Sequence, residues 1–244
     1  MLADDHLYKH VKNQIVDTLS KGQWVPGEKL PSEARLAAQY GVGISTIRAA
    51  LAELSAAGLV VRRQGKGTFV TQHDDQHSVY RFFHVVRNDG KKSFPVSQLV
   101  SLGKAAADDA TADRLQLPRV RGRHEVFKIR NVLTIEGTPV VLSDIVIPAD
   151  LFPGLDRNVI QEGGRTLYAV YQRHFGITIV RSTEELCSVH ADAAVSRTFG
   201  IETGEPILQI RRMAYTFGNK PVELRTSRID TRNYHYRIEE GDDI

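Results

Sequence analysis

A single cysteine, Cys187, stands in a chain of 244 residues, which excludes an internal disulfide and leaves a thiolate-rich metal site without its second ligand. Cys187 reads as a small buried hydrophobe. No apolar run approaches the roughly 18 residues that a membrane span needs. Met1 to His10 also lack the apolar stretch of a signal peptide. A soluble, cytoplasmic chain with no membrane partner is expected. Nucleophile elbow, metal-ligand spacing and phosphate-binding loop are all missing. The nine histidines are scattered, and His6 and His10, four apart, lie near a fraying terminus where a chance pair is the simpler account. No enzyme, metal or cofactor is expected. Internal repeats and low-complexity tracts are absent too. What remains is an ordinary globular composition, 41% hydrophobic and 25% charged, in a chain long enough for two modest domains with a core each.

The net charge of +3 is unevenly placed. Residues 1–73 hold nine Lys and Arg against six Asp and Glu, while residues 74–244 balance. A basic excess confined to the first segment points mildly to a polyanionic partner there.

Leu7, Val11, Ile15 and Leu19 recur every fourth position, which predicts an amphipathic helix over 7–21. Gly22, Pro26, Gly27 and Pro31 break it into a loop. Ser32 then offers an N-cap oxygen and Glu33 a carboxylate at the positive helix end, for a helix running to Tyr40 and stopped by Gly41. A second helix is expected from about Ser45 to Ala57, with Ile47, Ala50, Leu51 and Leu54 facing inward. Two short helices across a Gly41-Val42-Gly43 turn form a helix-turn-helix, whose second helix leads into the DNA major groove with its N-terminal residues. Those are Ile44, Ser45, Thr46 and Arg48. Arg48 can donate a bidentate pair to guanine or phosphate, and the hydroxyls can reach a phosphate or base edge. Leu59 to Arg63 and Thr68 to Thr71 then read as strands around the tip Gln64-Gly65-Lys66-Gly67. Arg62, Arg63 and Lys66 crowd this basic hairpin, and its glycines let backbone approach a sugar-phosphate surface.

Singly, the helix pair could be an ordinary helical hairpin and the basic hairpin a solvated edge. In this order they form a winged helix, and the segment PGEKLPSEARLAAQYGVGISTIRAALAELSAAGLVVRRQGKGTFV, Pro26 to Val70, closely resembles the GntR family of regulators. The resemblance implies DNA binding through Ser32, Glu33, Arg35, Ser45, Thr46, Arg48 and the wing residues Arg62, Arg63, Gln64, Gly65, Lys66 and Gly67. One of the two wing glycines is expected at the minor groove. Two departures from the common family pattern, Ala34 in place of arginine and Gly43-Ile44 in place of Ser-Arg, point to an operator unlike the family's typical one.

A polar stretch from Gln72 to Ser78 marks a linker, giving domains at 1–73 and 81–244 joined by 74–80. Beyond it, strands are expected at 80–87 and 94–102 as partners around Asp89-Gly90, at 123–134 and 138–147 around Glu136-Gly137, and at 177–189, 206–217, 221–229 and 233–239. Helices are expected at 108–115, 166–175 and 192–199, with a helical turn at 148–155. Hairpin-linked strands with inserted helices predict an α+β domain on an antiparallel sheet.

The segments EGTPVVLSDIVIPADLFPGL, RTLYAVYQRHFG, FGIETGEPILQIRRMAYTFGNKPVEL and YHYRIE, within 81–237, resemble the UTRA effector domain of the HutC subfamily, which has a chorismate-lyase-like fold. The resemblance implies a ligand cleft on one side of the sheet. Members that bind phosphorylated sugars use an Arg-x-Arg, a glutamate, a Ser-x-Tyr, a late glutamate and a tyrosine. Here Thr166 and Tyr168 keep the hydroxyl pair and Glu223 the late glutamate. Asn131 and Leu133 stand where the arginines belong, Ser143 replaces the earlier glutamate and Ile229 the tyrosine. A smaller or more apolar ligand than a sugar phosphate follows, and Arg130, Ser143, Thr166, Tyr168, Glu223 and Arg225 are the candidate effector residues, with Arg130 or Arg225 as partner to a carboxylate. Strand arginines, however, commonly snorkel or pair with neighbouring acids.

These readings combine into a DNA-binding transcription regulator, a repressor by the family's habit, acting as a homodimer on a palindromic operator under control of a small-molecule effector. A ligand-independent DNA-binding dimer and a lyase-like enzyme are the alternatives, since fold alone does not decide function.

Overall fold

The computed structural model describes residues 2–73, 82–91, 93–117 and 124–238, with side chains from Leu7 onward. The expected linker, 74–80, lies outside the described residues. They form two compact units, one before residue 74 and one from Phe82.

The first unit contains α1 (Leu2–Ser20), α2 (Glu33–Tyr40), α3 (Ile44–Ala56), β1 (Val60–Arg63) and β2 (Gly67–Val70). Its core is the expected periodic set: Val11, Ile15 and Leu19 from α1, Leu36 from α2, and Ile47, Ala50, Leu51 and Leu54 from α3 are all buried. Leu7 alone of the α1 stripe is exposed. Burying each large aliphatic side chain is worth about 1.5–3 kcal/mol, and this is what holds helices too short to stand alone. Gly41 ends α2 in the left-handed conformation, φ 66°. The segment expected to be a plain loop is pinned to the hairpin: Gly27 N donates to Val70 O at 2.9 Å and Leu30 N to Thr68 O at 2.8 Å, placing Lys29 opposite Phe69.

The second unit runs β3 (Val85–Arg87), β4 (Val96–Ala106), α4 (Asp109–Leu115), β5 (Glu125–Ile135), β6 (Thr138–Pro148), a 3-10 turn (Ala149–Leu151), α5 (Arg157–Glu162), α6 (Leu167–Phe175), β7 (Arg181–His190), α7 (Ala193–Phe199), β8 (Pro206–Tyr215), β9 (Pro221–Ile229) and β10 (Tyr234–Tyr236). Six strands form one antiparallel sheet in the order β4-β5-β6-β9-β8-β7. It is an α+β unit, as expected. At the β5–β6 turn both Glu136 (φ 51°) and Gly137 (φ 82°) are left-handed, the geometry that joins tightly twisted strands in a two-residue hairpin. Thr166 and Asp192 cap α6 and α7 by accepting from backbone N–H groups.

Side chains alternate between the two sheet faces. On one face Phe127, Ile129, Ile145 and Ile147 pack against Leu167, Tyr168 and Tyr171 of α6 and against Phe152. Further along that face Val141, Ile210 and Ile229 meet Val85 and Tyr234. On the other face Leu142 and Ile207 meet Val195 and Phe199 of α7.

Three expectations need correction. The strand ending at Arg87 does not pair with the one that follows it. β3 pairs with β10 in a separate two-stranded ribbon, Val85 opposite Tyr236 and Arg87 opposite Tyr234, and β4 pairs with β5. Burial of Val85 and Tyr234 on the large sheet outweighs the local convenience of a hairpin. The strand expected from 177 begins only at Arg181, and α5 was not foreseen. Cys187 is exposed rather than buried, because it lies on the edge strand β7; Gln209 Nε2 approaches its sulfur at 3.7 Å. A thiol reagent such as DTNB is therefore expected to label one sulfur per chain without denaturant, and labelling only after unfolding would contradict this placement.

Candidate nucleic-acid interface and ligand cleft

Helix α3 begins one residue earlier than its sequence suggests, at Ile44, with Gly43 as an N-cap that supplies no side-chain bond. Ile44, Ser45, Arg48 and Ala49 form its exposed stripe, at the one-and-four spacing of a single helix face. Thr46 is turned inward, only 9% exposed, so among the expected recognition-helix residues Ser45 and Arg48 face outward and Thr46 does not. Ser32 caps α2, its hydroxyl accepting from Arg35 N at 3.3 Å. Glu33 holds Arg48: Nε of the arginine donates to Oε2 at 2.6 Å. Arg48 remains 67% exposed on its side chain, and exposed pairs of this kind are worth about 0–1 kcal/mol, so the guanidinium can leave for a nucleic acid at little cost.

The wing adjoins this helix. Arg62 Nη2 donates to the carbonyl of Arg48 at 3.3 Å, while the Arg63 guanidinium lies 4.9 Å from the Phe69 ring centre. Gln64, Gly65 and Lys66 are exposed at the tip. The two wing glycines differ. Gly65 is left-handed, φ 69°, in open space, whereas a Cβ on Gly67 (φ 111°) would meet Lys29 Cε at 2.8 Å. Gly65 is thus the tip residue and Gly67 makes room for Lys29, a further cation at the wing that sequence reasoning missed. Its only signal was the loop-to-hairpin pairing, which no local pattern reveals. Gly65→Val forces a β-branched residue into the left-handed region at about 1–2 kcal/mol. It is expected to lower the melting temperature of the chain and to weaken DNA binding further by blocking close backbone approach. Circular dichroism melts and anisotropy titrations check both, and unchanged DNA affinity would place the tip away from the duplex.

In the second unit the sheet register sorts the candidate effector residues. Asn131 lies opposite Ser143, which lies opposite Ser227; Arg225 lies opposite Ile145. These share the face covered by α6. Arg130, one residue away, is on the other face, where its Nε donates to Asp144 Oδ1 at 2.6 Å and Arg228 Nη1 donates to Oδ2 at 2.7 Å. Burial alone would push the Asp144 carboxyl up, but these two guanidinium hydrogen bonds hold it below its usual range. Arg130 is therefore no partner to the other candidates, a correction that the period-two alternation of a strand makes unavoidable.

Tyr168, Glu223 and Arg225 do come together, but they close on one another. Glu223 is fully buried and its two oxygens accept four hydrogen bonds, from Tyr168 (3.0 Å), Tyr171 (2.8 Å) and the Nε and Nη2 of Arg225 (2.8 Å each). Burial opposes its charge, yet the charge and hydrogen bonds of Arg225 and the Tyr171 hydroxyl prevail and hold the carboxyl low. Burial first, and the Glu223 charge second, push the Tyr168 hydroxyl up to about 12. Beside this group Arg212 donates to Glu184 Oε1 and to the Phe82 carbonyl, both at 2.5 Å, and Tyr236 donates to the same Glu184. Ser143 is likewise enclosed, 1% exposed, its hydroxyl 2.9 Å from that of Ser227. Asn131 donates to the Ser97 hydroxyl at 3.2 Å.

The open space lies one step outward. A cleft of ≈ 330 Å³ runs between β4, α5 and the start of α6, lined by Phe94, Ser97, Leu99, Ile160, Arg165 and Thr166 among others. Of the six candidate effector residues only Thr166 lines it; Tyr168 is turned from it to the sheet. Arg165 is the residue missed by sequence reasoning, and its place directly before Thr166 was the signal that could have found it.

Residues 7–70 match the family of bacterial regulatory proteins, gntR family, and residues 91–235 match the UTRA domain. The chain is 27% identical over 228 residues to a probable fructoselysine utilization operon transcriptional repressor of Escherichia coli K12, covering 89% of this chain and 88% of the relative. It is 30% identical over 217 residues to the histidine utilization repressor of Pseudomonas putida, covering 88% and 84%. Among solved structures, the ligand-binding domain of a GntR-family transcriptional regulator from Bordetella bronchiseptica superposes with a TM-score of 0.62 at 29% identity, over 66% of this chain and 99% of that one. The regulator YydK of Bacillus subtilis, 17% identical with a TM-score of 0.58, shares the fold over 96% of this chain and 99% of its own. No helix among the described residues is long and apolar enough to cross a membrane. A winged helix presenting Arg48, a six-stranded sheet with a cleft beside α6 and these matches along nearly the whole chain together place it in the GntR family of bacterial transcription regulators, in the HutC subfamily, with a GntR helix-turn-helix followed by a UTRA domain.

Proposed function

We propose that the chain is a repressor which binds a palindromic operator as a homodimer, with residues 1–73 reading DNA, 74–80 linking, and 81–244 dimerising and binding a small-molecule effector. The observation that carries this reading is the exposed stripe of Ser45 and Arg48 beside a basic wing in a chain whose second unit holds a separate cleft. The relatives named above are called repressors of fructoselysine and histidine utilization; repression of genes for the use of a small organic nutrient is the corresponding role here. One winged helix covers little DNA, and a two-fold dimer doubles the contacts on a palindrome. The effector acts by binding one arrangement of the two reading heads better than the other and so shifting operator affinity.

Fluorescence anisotropy of the full chain on a duplex from its own promoter region, at fixed salt, with and without a panel of small metabolites, tests this. Sequence-specific binding altered by one compound is the expected result. Specific binding that no compound alters would favour a ligand-independent DNA-binding dimer, and no specific binding would overturn the reading.

A further inference from the structure

Several arginines of the second unit are committed to carboxylates. Arg130 and Arg228 share Asp144, Arg225 is locked on Glu223, Arg212 on Glu184, and Arg232 on Asp230. Arg165 differs. It lines the ≈ 330 Å³ cleft, and among the described residues no Asp or Glu lines that cleft and Arg165 has no hydrogen bond or ion pair. The positive end of α6, which starts at Leu167, opens on the same space and also favours an anion. Ser97 accepts the Asn131 amide and keeps its own hydroxyl proton to donate. Phe94, Leu99, Ile160 and Val170 supply apolar walls.

We infer that this cleft takes a small organic carboxylate with an apolar body, and that Arg165 is the residue selecting it. The inference rests on the effector reading above and names the ligand class. A guanidinium presents two parallel N–H donors that match the two oxygens of a carboxylate, while the apolar walls take the remainder of the molecule and disfavour a compact, strongly hydrated anion. Among the described residues lining the cleft, inorganic phosphate would find a single cation and no apolar complement of its own.

The test is calorimetric titration and thermal shift of the full chain with benzoate, phenylacetate and hexanoate, each beside its neutral amide, and with inorganic phosphate. At least one carboxylate is expected to bind ten-fold or more tightly than its amide and than phosphate. Arg165→Gln should remove that preference, Arg165→Lys should retain part of it, and Arg211→Gln, on the far face of the sheet, should leave it intact. Binding by none of the carboxylates, equal binding of acid and amide, stronger binding of phosphate, or an unchanged preference in Arg165→Gln would each overturn the inference. Operator anisotropy separates the two readings. A carboxylate held through Arg165 that leaves operator affinity unchanged removes the effector role and keeps the ligand class. A neutral compound that alters operator affinity equally in the native chain and in Arg165→Gln keeps the regulator and removes the ligand class.

Discussion

Replacing Glu223 with leucine is expected to destabilise the UTRA unit by about 3–5 kcal/mol, the cost of leaving a buried charge without its partner. In the native chain the carboxylate neutralises Arg225 and satisfies the Tyr168 and Tyr171 hydroxyls inside a buried cluster. The leucine keeps much of the volume but strands the guanidinium, which lies 5.2 Å from the Tyr168 ring and, among the described residues, pairs with no carboxylate but Glu223. The double variant Glu223→Leu with Arg225→Met removes both charges and should regain most of the loss, since a buried ion pair is often no more stable than an apolar replacement. Urea melts of the native chain, the single and the double variant measure this. A single variant as stable as the native chain would show that the pair contributes nothing.

This cluster and two separate arginine-paired carboxylates, Asp144 and Asp230, set the pH limits of the unit. The carboxyls of Glu223, Asp144 and Asp230 are all held below their ordinary values, so the folded state binds fewer protons than the unfolded one. Their contribution is complete above the unfolded carboxylate range, about pH 4, and is lost as pH falls through the depressed folded values. Tyr168 has the opposite sign: its stabilising protonated state is fully present below about pH 10 and is lost as pH rises toward its folded value of about 12. The acid limb should be shallower in the Glu223→Leu variant than in the native chain.

Much of this architecture was legible because its determinants are local. The stripes of α1 and α3, the Ser32 cap, Gly41 as a stop and Glu136-Gly137 as a left-handed turn each follow from neighbouring residues acting on one another. The failures involve residues distant in sequence. Nothing near Arg87 announces that Tyr234 will pair with it, and nothing near Lys29 announces the wing. The site failed for a subtler reason. Glu223, Tyr168 and Arg225 are chemically apt for a ligand, but residue type does not show whether partners are already present, and here they saturate one another. Arg130 and Asn131 are adjacent in sequence yet face opposite sides of the sheet, so assigning a ligand role one position off exchanges the face covered by α6 for an ion pair on the other.

Arg48→Ala is expected to weaken specific operator binding by ~1–3 kcal/mol, roughly 5- to 150-fold, where the side chain reads a base. Arg48 is the exposed cation on the outward stripe of α3, and its hold on Glu33 at 2.6 Å is a surface pair that DNA can replace. Glu33→Gln separates the two roles of that acid. Freed of its partner, Arg48 should bind DNA as well as in the native chain or slightly better, whereas a loss comparable to that of Arg48→Ala would mean that Glu33 must orient the guanidinium before it reaches the groove. Titrations on the promoter duplex and on an unrelated duplex, at several salt concentrations, distinguish base from phosphate contact. Loss confined to the promoter sequence marks a base contact. An equal loss on both duplexes, with the salt slope reduced by about one, marks a phosphate contact, and reading would then fall to Ser45, Ile44 and the wing.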